Sequence, residues 1–463
     1  MPELNDSTTH PRYHLLKSLD YSQREAVASS TMTSTCDNFM NAYALHLGAT
    51  SIQMGFLTAF PQLIGSLMQV VSVWLGTFLT RRLLVLLTAV LQAMLMFAFA
   101  ILAVRSGDTL AGDLIFLVIA YQCSSNLIQP QWRAWLGSMV QHNERGKFFA
   151  ARTRLTMATS LVMFLVGGVV LTLTDSIGFA GLGFFLLFLT AAAGRAYSSF
   201  FLFHMQDPAP QPVVPVSTQF YATFGIVREA FKDPIFRNYS YFVAGVQGAA
   251  AISAPFFAVY MLKVLNYNYF EYSINLVAAI ATQFLFLRYW GKLSDKHGNR
   301  FIMLLCSVLL PIVPVLWLFS ANFYYLLVVQ LISGLAWSGF NLTTANYLFD
   351  IRPHQTNFAT YAALQAVVTA VMVFAGGLAG GYLAAFSALL MSVTPFSLGE
   401  GLFIVFIVSG LLRAAMLVWF IPRAEEPRIR THPQLFKLLY RIARYNSNGV
   451  VLDWLTVGEK DED

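Results

Sequence analysis

The chain has 463 residues, of which 57% are hydrophobic and 11% charged. Soluble domains carry about 25% charged residues, so this composition excludes an ordinary soluble protein and points to a multi-spanning helical membrane protein. The net charge of +6 does not mark a nucleic-acid binder, because the Lys and Arg residues gather in alternate loops and the two tails, the positive-inside pattern.

Residues 1–23 are polar and read as a cytoplasmic segment; no cleavable leader is visible there. Span 1 is expected at 24–47. It carries Thr31, Thr33, Ser34, Thr35, Asp37, Asn38 and Asn41, a polar load that no lipid-facing helix bears, so it should line a cavity. Span 2 (52–79) holds Pro61, Gln62 and Gln69, and Arg81-Arg82 makes the next turn. Spans 3 (83–104) and 4 (114–138) follow; span 4 contains Gln122, Asn126 and Gln129. The basic stretch 142–154 is expected inside. Spans 5 (155–174) and 6 (179–203) complete a first half, 24–204.

Residues 205–236 change composition. A Pro-rich linker leads into Phe220, Phe224, Val227 and Phe231 at helical spacing beside Arg228 and Lys232, as in a helix lying on the membrane surface. A second half, 237–422, holds spans 7 to 12 at 237–262, 272–290, 301–319, 323–349, 358–385 and 401–421. The basic tail, 423–463, repeats the surface-helix pattern with Leu435, Leu438, Leu439 and Ile442. Both termini are therefore expected in the cytoplasm. The three cysteines, Cys36, Cys123 and Cys306, lie in apolar spans, with no disulfide framework or zinc spacing.

Twelve spans about a central linker suggest an internal repeat. Arg82 matches Arg300, Arg195 matches Arg413, and Asn126 matches Asn341, at offsets of 218, 218 and 215 residues.

Between spans 8 and 9 stands Gly291-Lys-Leu-Ser-Asp295-Lys296-His-Gly298-Asn-Arg300. Gly291 is expected to let two helices approach closely, Gly298 to adopt a positive φ, and Asp295 to accept from free N–H groups at a helix end. Lys296 and Arg300 hold the turn on the cytoplasmic side. The spacing resembles the loop signature of the major facilitator superfamily. The first-half counterpart, Gly76 to Arg82, lacks the acid and the second glycine.

What this resemblance implies is an all-α membrane protein of twelve helices in two pseudo-symmetric halves. It implies a secondary transporter that works by alternating access, with spans 1, 4, 7 and 10 lining a midplane site. On those spans the candidate substrate residues are Asp37, Asn38, Asn41, Gln122, Asn126, Gln129, Gln247, Asn341 and Asn346. The plainer role of such amides is hydrogen bonding between helices, worth about 1 kcal/mol each. Asn126 and Asn341 would face each other across the cavity.

Asp37 is the carboxylate deepest in a span. At that depth it must be protonated, hydrated or paired. It is the candidate for proton coupling, for holding a cationic substrate group, or for a structural bond onto span 2 or 5. Arg195 and Arg413 read as structural, bonding helix carbonyls or snorkelling. Gly376-Gly377 and Gly380-Gly381 give span 11 two faces of small residues, suited to close packing or to a sliding gate.

The expected partners are a small-molecule substrate and the lipid bilayer, not nucleic acid, and the expected form is a monomer in a bacterial inner membrane. No metal or cofactor is expected beyond coupling to protons. The rival classes are a membrane-embedded acyl- or glycosyl-transferase and a transporter-like sensor. The eight histidines are scattered and form no His-Glu-x-x-His, which speaks against the enzyme.

Overall fold

The computed structural model describes residues 11–76, 78–105, 110–140, 145–207, 231–351, 355–393 and 398–424. The surface helices expected at 220–231 and 435–442 lie almost wholly outside these.

Twelve long helices make up the described residues. The first, α1, runs Pro11–Cys36, passes through a 3₁₀ turn at Asp37–Phe39 and resumes over Met40–His46. Then come α2 (Ser51–Leu75), α3 (Arg81–Val104), α4 (Leu110–Met139), α5 (Arg145–Ser176) and α6 (Ala180–His204). The second half holds α7 (Pro234–Val259), α8 (Tyr269–His297), α9 (Asn299–Leu316), α10 (Phe323–Ile351), α11 (Gln355–Val393) and α12 (Leu398–Phe420). Ten of these, α3 to α12, contain stretches long and apolar enough to cross a bilayer.

Local chemistry explains several boundaries. Thr50 and Gln53 form a capping box that starts α2, and Asn268 and Glu271 form another that starts α8. The two caps stand 218 residues apart, the offset already seen between Arg82 and Arg300. Asp233 caps α7, with Pro234 in its first turn.

The expected loop after span 8 is not a loop. Helix α8 continues to His297, so Gly291, Asp295 and Lys296 lie within it. Only Gly298, at φ +90°, separates it from α9, which begins at Asn299 and carries Arg300 in its first turn. Gly291 is also not a point of close approach. A Cβ there would meet only Leu342 Cδ2, at 4.0 Å. The close approaches of α10 are at Gly334, against the Ala279 carbonyl of α8, and at Gly339, against Cys306 and Trp290.

Within the first half α3 packs on α6, α6 on α1, and α2 on α4; within the second, α7 packs on α11 and α12, and α10 on α8 and α9. The halves meet chiefly through α2 against α11 and α5 against α8. These seams lie at the end remote from Pro11 and Arg423, here termed the distal end.

There the backbones touch. A Cβ on Gly55 would lie 2.4 Å from the Gly377 carbonyl oxygen, and one on Gly377 would lie 2.5 Å from Ala59 Cβ. Phe60 meets Phe374, and Tyr269 and Tyr272 of α8 meet Phe184 and Phe164. The Phe270 amide donates to Thr172 Oγ1 at 2.9 Å, and Tyr272 donates to the Asn38 carbonyl at 3.3 Å.

The apolar core has the same asymmetry. One distal cluster runs through both halves, joining Phe39, Tyr43 and Phe164 to Phe256, Tyr272 and Trp317. At the proximal end there are two clusters, one per half, around Trp135 and around Phe242. The cleft is therefore sealed distally and parted proximally.

Candidate transport site

The first half buries a set of charges. Glu25, on α1, is 3% exposed and accepts from Arg152 Nη2 of α5 at 2.7 Å. Arg195 Nη1 of α6 lies 3.7 Å from its other oxygen, and Ser198 bridges the two by accepting from Arg195 and donating to Glu25, each at 3.0 Å. Arg152 also donates to the Ser22 carbonyl and stacks over Trp132, 5.1 Å from the ring centre. A buried carboxylate shared by two guanidiniums is held by charge-assisted bonds on both oxygens, which offsets its desolvation. Arg195 is thus an ion-pair partner, not a snorkelling side chain. Its partner Glu25 was not legible as a core residue, because hydropathy begins span 1 at 24 while the helix begins at Pro11.

These charges line a cavity of about 230 Å³ together with Asp37, Tyr121, Gln122 and Gln129. Asp37 opens the 3₁₀ turn that interrupts α1. A 3₁₀ break within a helix frees backbone groups and serves as a joint. Asp37 is exposed and lines this cavity. It forms no ion pair among the described residues, and Tyr121 lines the same cavity. Of the three states open to a carboxylate at this depth, the geometry favours hydration from the cavity. A neighbouring cleft of about 360 Å³ shares Ser29, Thr33, Gln129, Trp132 and Arg152 with this cavity, and reaches Arg133 and Phe149 toward the proximal end.

A second and larger cavity, about 450 Å³, lies between the halves. Helices α1, α2, α7, α8, α9, α10, α11 and α12 all contribute to its wall. Its polar groups include Asn41, Gln62, Gln247, Gln283, Gln330 and Asn341; Phe257, Trp317 and Trp337 make its apolar surface. Arg413 reaches it from α12.

The candidate residues thus divide. Asp37, Gln122 and Gln129 stand on the first-half cavity, and Asn41, Gln247 and Asn341 on the central one. Asn38 bonds within α1 through its side chain and across to α8 through its carbonyl. Asn126 accepts from Gln69 Nε2 at 3.0 Å and donates to the Gln122 carbonyl, tying α4 to α2. It lines none of these cavities and does not meet Asn341 in either. Asn346 lines none of them. Gln283 and Gln330 belong to the central wall without having been singled out; their signal was only that of an amide inside an apolar span.

The second glycine-rich turn is matched in the first half by a different device. Arg81 grips Asp207, beyond α6, with both Nε and Nη2; the Nε bond is 2.6 Å. It also donates to Ser138 Oγ and to the Ala134 carbonyl of α4. The acid missing from the first-half loop is supplied from the far end of that half.

A family model described as Major Facilitator Superfamily matches residues 242–457. Over that stretch, just under half of the chain, the sequence is similar to the major facilitator superfamily. Solved structures agree on the fold over nearly the whole chain. A bacterial homologue of the human lysosomal transporter Spinster, inward-facing and occupied, matches with a TM-score of 0.66 at 14% identity, over 89% of this chain and 96% of that one. A mutant of the nucleoside transporter NupG matches at 0.65 and 13%, over 89% and 100%. The D-xylose-proton symporter matches at 0.64 and 12%, over 91% and 100%. At these identities the likeness shows the fold alone. No curated protein matched. The fold shared with these structures is one of two six-helix halves.

Proposed function

We propose that this transporter moves a small solute through the central cavity by alternating access, and couples that movement to protons through Asp37. One observation carries the reading. The short stretch Asp37–Asn41 touches three parts of the machine at once. Asp37 faces the first-half charge cavity, the Asn38 carbonyl bonds Tyr272 across the distal seam, and Asn41 lines the central cavity. A proton gained or lost at the 3₁₀ turn is therefore one residue from the closed gate and one helical turn from the substrate. An ion drives alternation only by binding the two access states unequally, and a joint in the helix supplies that difference.

The proximal end carries Arg81, Arg82, Arg133, Arg152, Lys292, Lys296 and Arg300, which the positive-inside rule assigns to the cytoplasm. On this reading both termini are cytoplasmic, the membrane is a bacterial inner membrane, and the structure is open inward. Residues of one chain line both cavities, which supports a working monomer.

The test is flux in proteoliposomes with and without an imposed pH gradient. Asp37→Asn keeps size and hydrogen bonding but removes the titrating proton. It should retain exchange of substrate and lose gradient-driven accumulation. Accumulation by the Asn variant, or wild-type flux indifferent to the gradient, would remove Asp37 from the coupling role. Chemical turnover of the solute would favour the transferase reading, and binding without flux the sensor.

A further inference from the structure

Arg195 and Arg413 occupy matching positions in the two halves, yet only one of them is neutralised. Arg195 has Glu25. The residue 218 positions after Glu25 is Val243, so the repeat does not supply the second half with a corresponding acid. Arg413 is 3% exposed and makes no ion pair among the described residues. Its Nη1 donates to the Leu310 carbonyl at 2.9 Å and its Nη2 to Ser253 Oγ at 3.0 Å. The first bond has a clear origin. The helical donor to that carbonyl would be residue 314, which is a proline and has no N–H.

Two contacts do not exhaust a guanidinium with five N–H donors, and Arg413 Nε has no partner. Arg413 also borders the central cavity, and among the described residues it is the only charged one on that wall. Among the described residues no Asp or Glu lines the cavity to balance it. A guanidinium held at membrane depth without a counter-charge is costly, and leaving it so is useful only where an incoming group provides the missing charge.

We propose that the substrate of this transporter is an organic oxyanion, a carboxylate or phosphate ester, whose charged head pairs with Arg413 in the central cavity. The planar guanidinium suits a bidentate oxyanion, and its Nε–H is buried without a partner. Trp317, Trp337 and Phe257 accommodate an apolar or aromatic body, and Gln247 and Asn341 offer amide contacts. This inference rests on the transport reading for its word "substrate", but the pairing itself is a statement about binding.

The experiment compares thermal stabilisation of the full-length protein in neutral detergent, free of added lipid. The probes are benzoate, phenyl phosphate and indole-3-acetate, each against an uncharged counterpart: benzamide, benzyl alcohol and indole-3-acetamide. At least one anion should raise Tm while its neutral partner does not. Arg413→Gln should abolish the difference, measured from that variant's own baseline, and Arg413→Lys should retain part of it. Should Arg413→Gln not fold, Gln247→Glu keeps the arginine and places a carboxylate on the same wall, and it should abolish the anion preference as well. Equal shifts for anion and neutral partner, no shift with any anion, or an anion preference that survives Gln247→Glu would overturn the proposal. Uptake of the binding anion into proteoliposomes is scored separately. An anion that binds at Arg413 but is not moved leaves the pairing intact and removes the transport reading.

Discussion

The glycine contact at the distal seam can be perturbed by a single methyl group. In the closed arrangement a Cβ on Gly55 would sit 2.4 Å from the Gly377 carbonyl oxygen, and backbone cannot yield as a flexible side chain does. Gly55→Ala therefore forces α2 and α11 apart. Overpacking of this kind costs about 1–3 kcal/mol. The strain exists only when the distal gate is shut, so it shifts the balance of access states by about 5- to 150-fold toward distal-open. Gly376 supplies the control. Its Cβ would lie 2.0 Å from the Gly248 carbonyl oxygen, but both residues belong to the second half. Gly376→Ala should destabilise both access states alike. The assay uses Ser333→Cys, on the central cavity, in a background lacking Cys36, Cys123 and Cys306. Labelling of intact cells by a membrane-impermeant maleimide should quicken with Gly55→Ala and stay unchanged with Gly376→Ala. An unchanged rate with Gly55→Ala, or equal quickening by both, would refute the gate.

Two further outcomes follow from the buried charges. Asp207→Asn breaks the two-pronged grip of Arg81, which is 6% exposed on its side chain, and should cost about 3–5 kcal/mol, read as a fall in Tm of the purified protein. Glu25→Gln leaves Arg152 and Arg195 without their shared carboxylate; it should lower Tm by a comparable amount, and Glu25→Asp should restore only part of it because the shorter side chain cannot span both arginines.

Much of the architecture was legible because the bilayer imposes it. Apolar run length gives spans. Helix 1 was readable as a cavity helix from its hydroxyls and amides, and Gly298 as a positive-φ residue from its place between two runs. The pairing of buried charges was not readable. Glu25 meets Arg152 and Arg195 from positions 127 and 170 residues away, and nothing in local periodicity connects them. Nor did the repeat foretell that Arg195 and Arg413 would differ, since matching positions fix a helix face but not the chemistry opposite it. The role expected of Gly291 belongs instead to Gly334 and Gly339. A glycine's neighbours are set by how helices cross, which a single sequence does not encode locally. On span 11 both small faces proved used, Gly376 and Gly380 within a half and Gly377 and Gly381 between halves.

The distal seam joins its halves through glycine backbones, aromatic rings and the hydrogen bonds of Phe270 and Tyr272, and among the described residues it contains no ion pair. Such a latch offers nothing for dissolved salt to screen. The rate at which it opens should be indifferent to ionic strength and governed by volume alone, so that each methyl added or removed along α2 and α11 retimes the cycle.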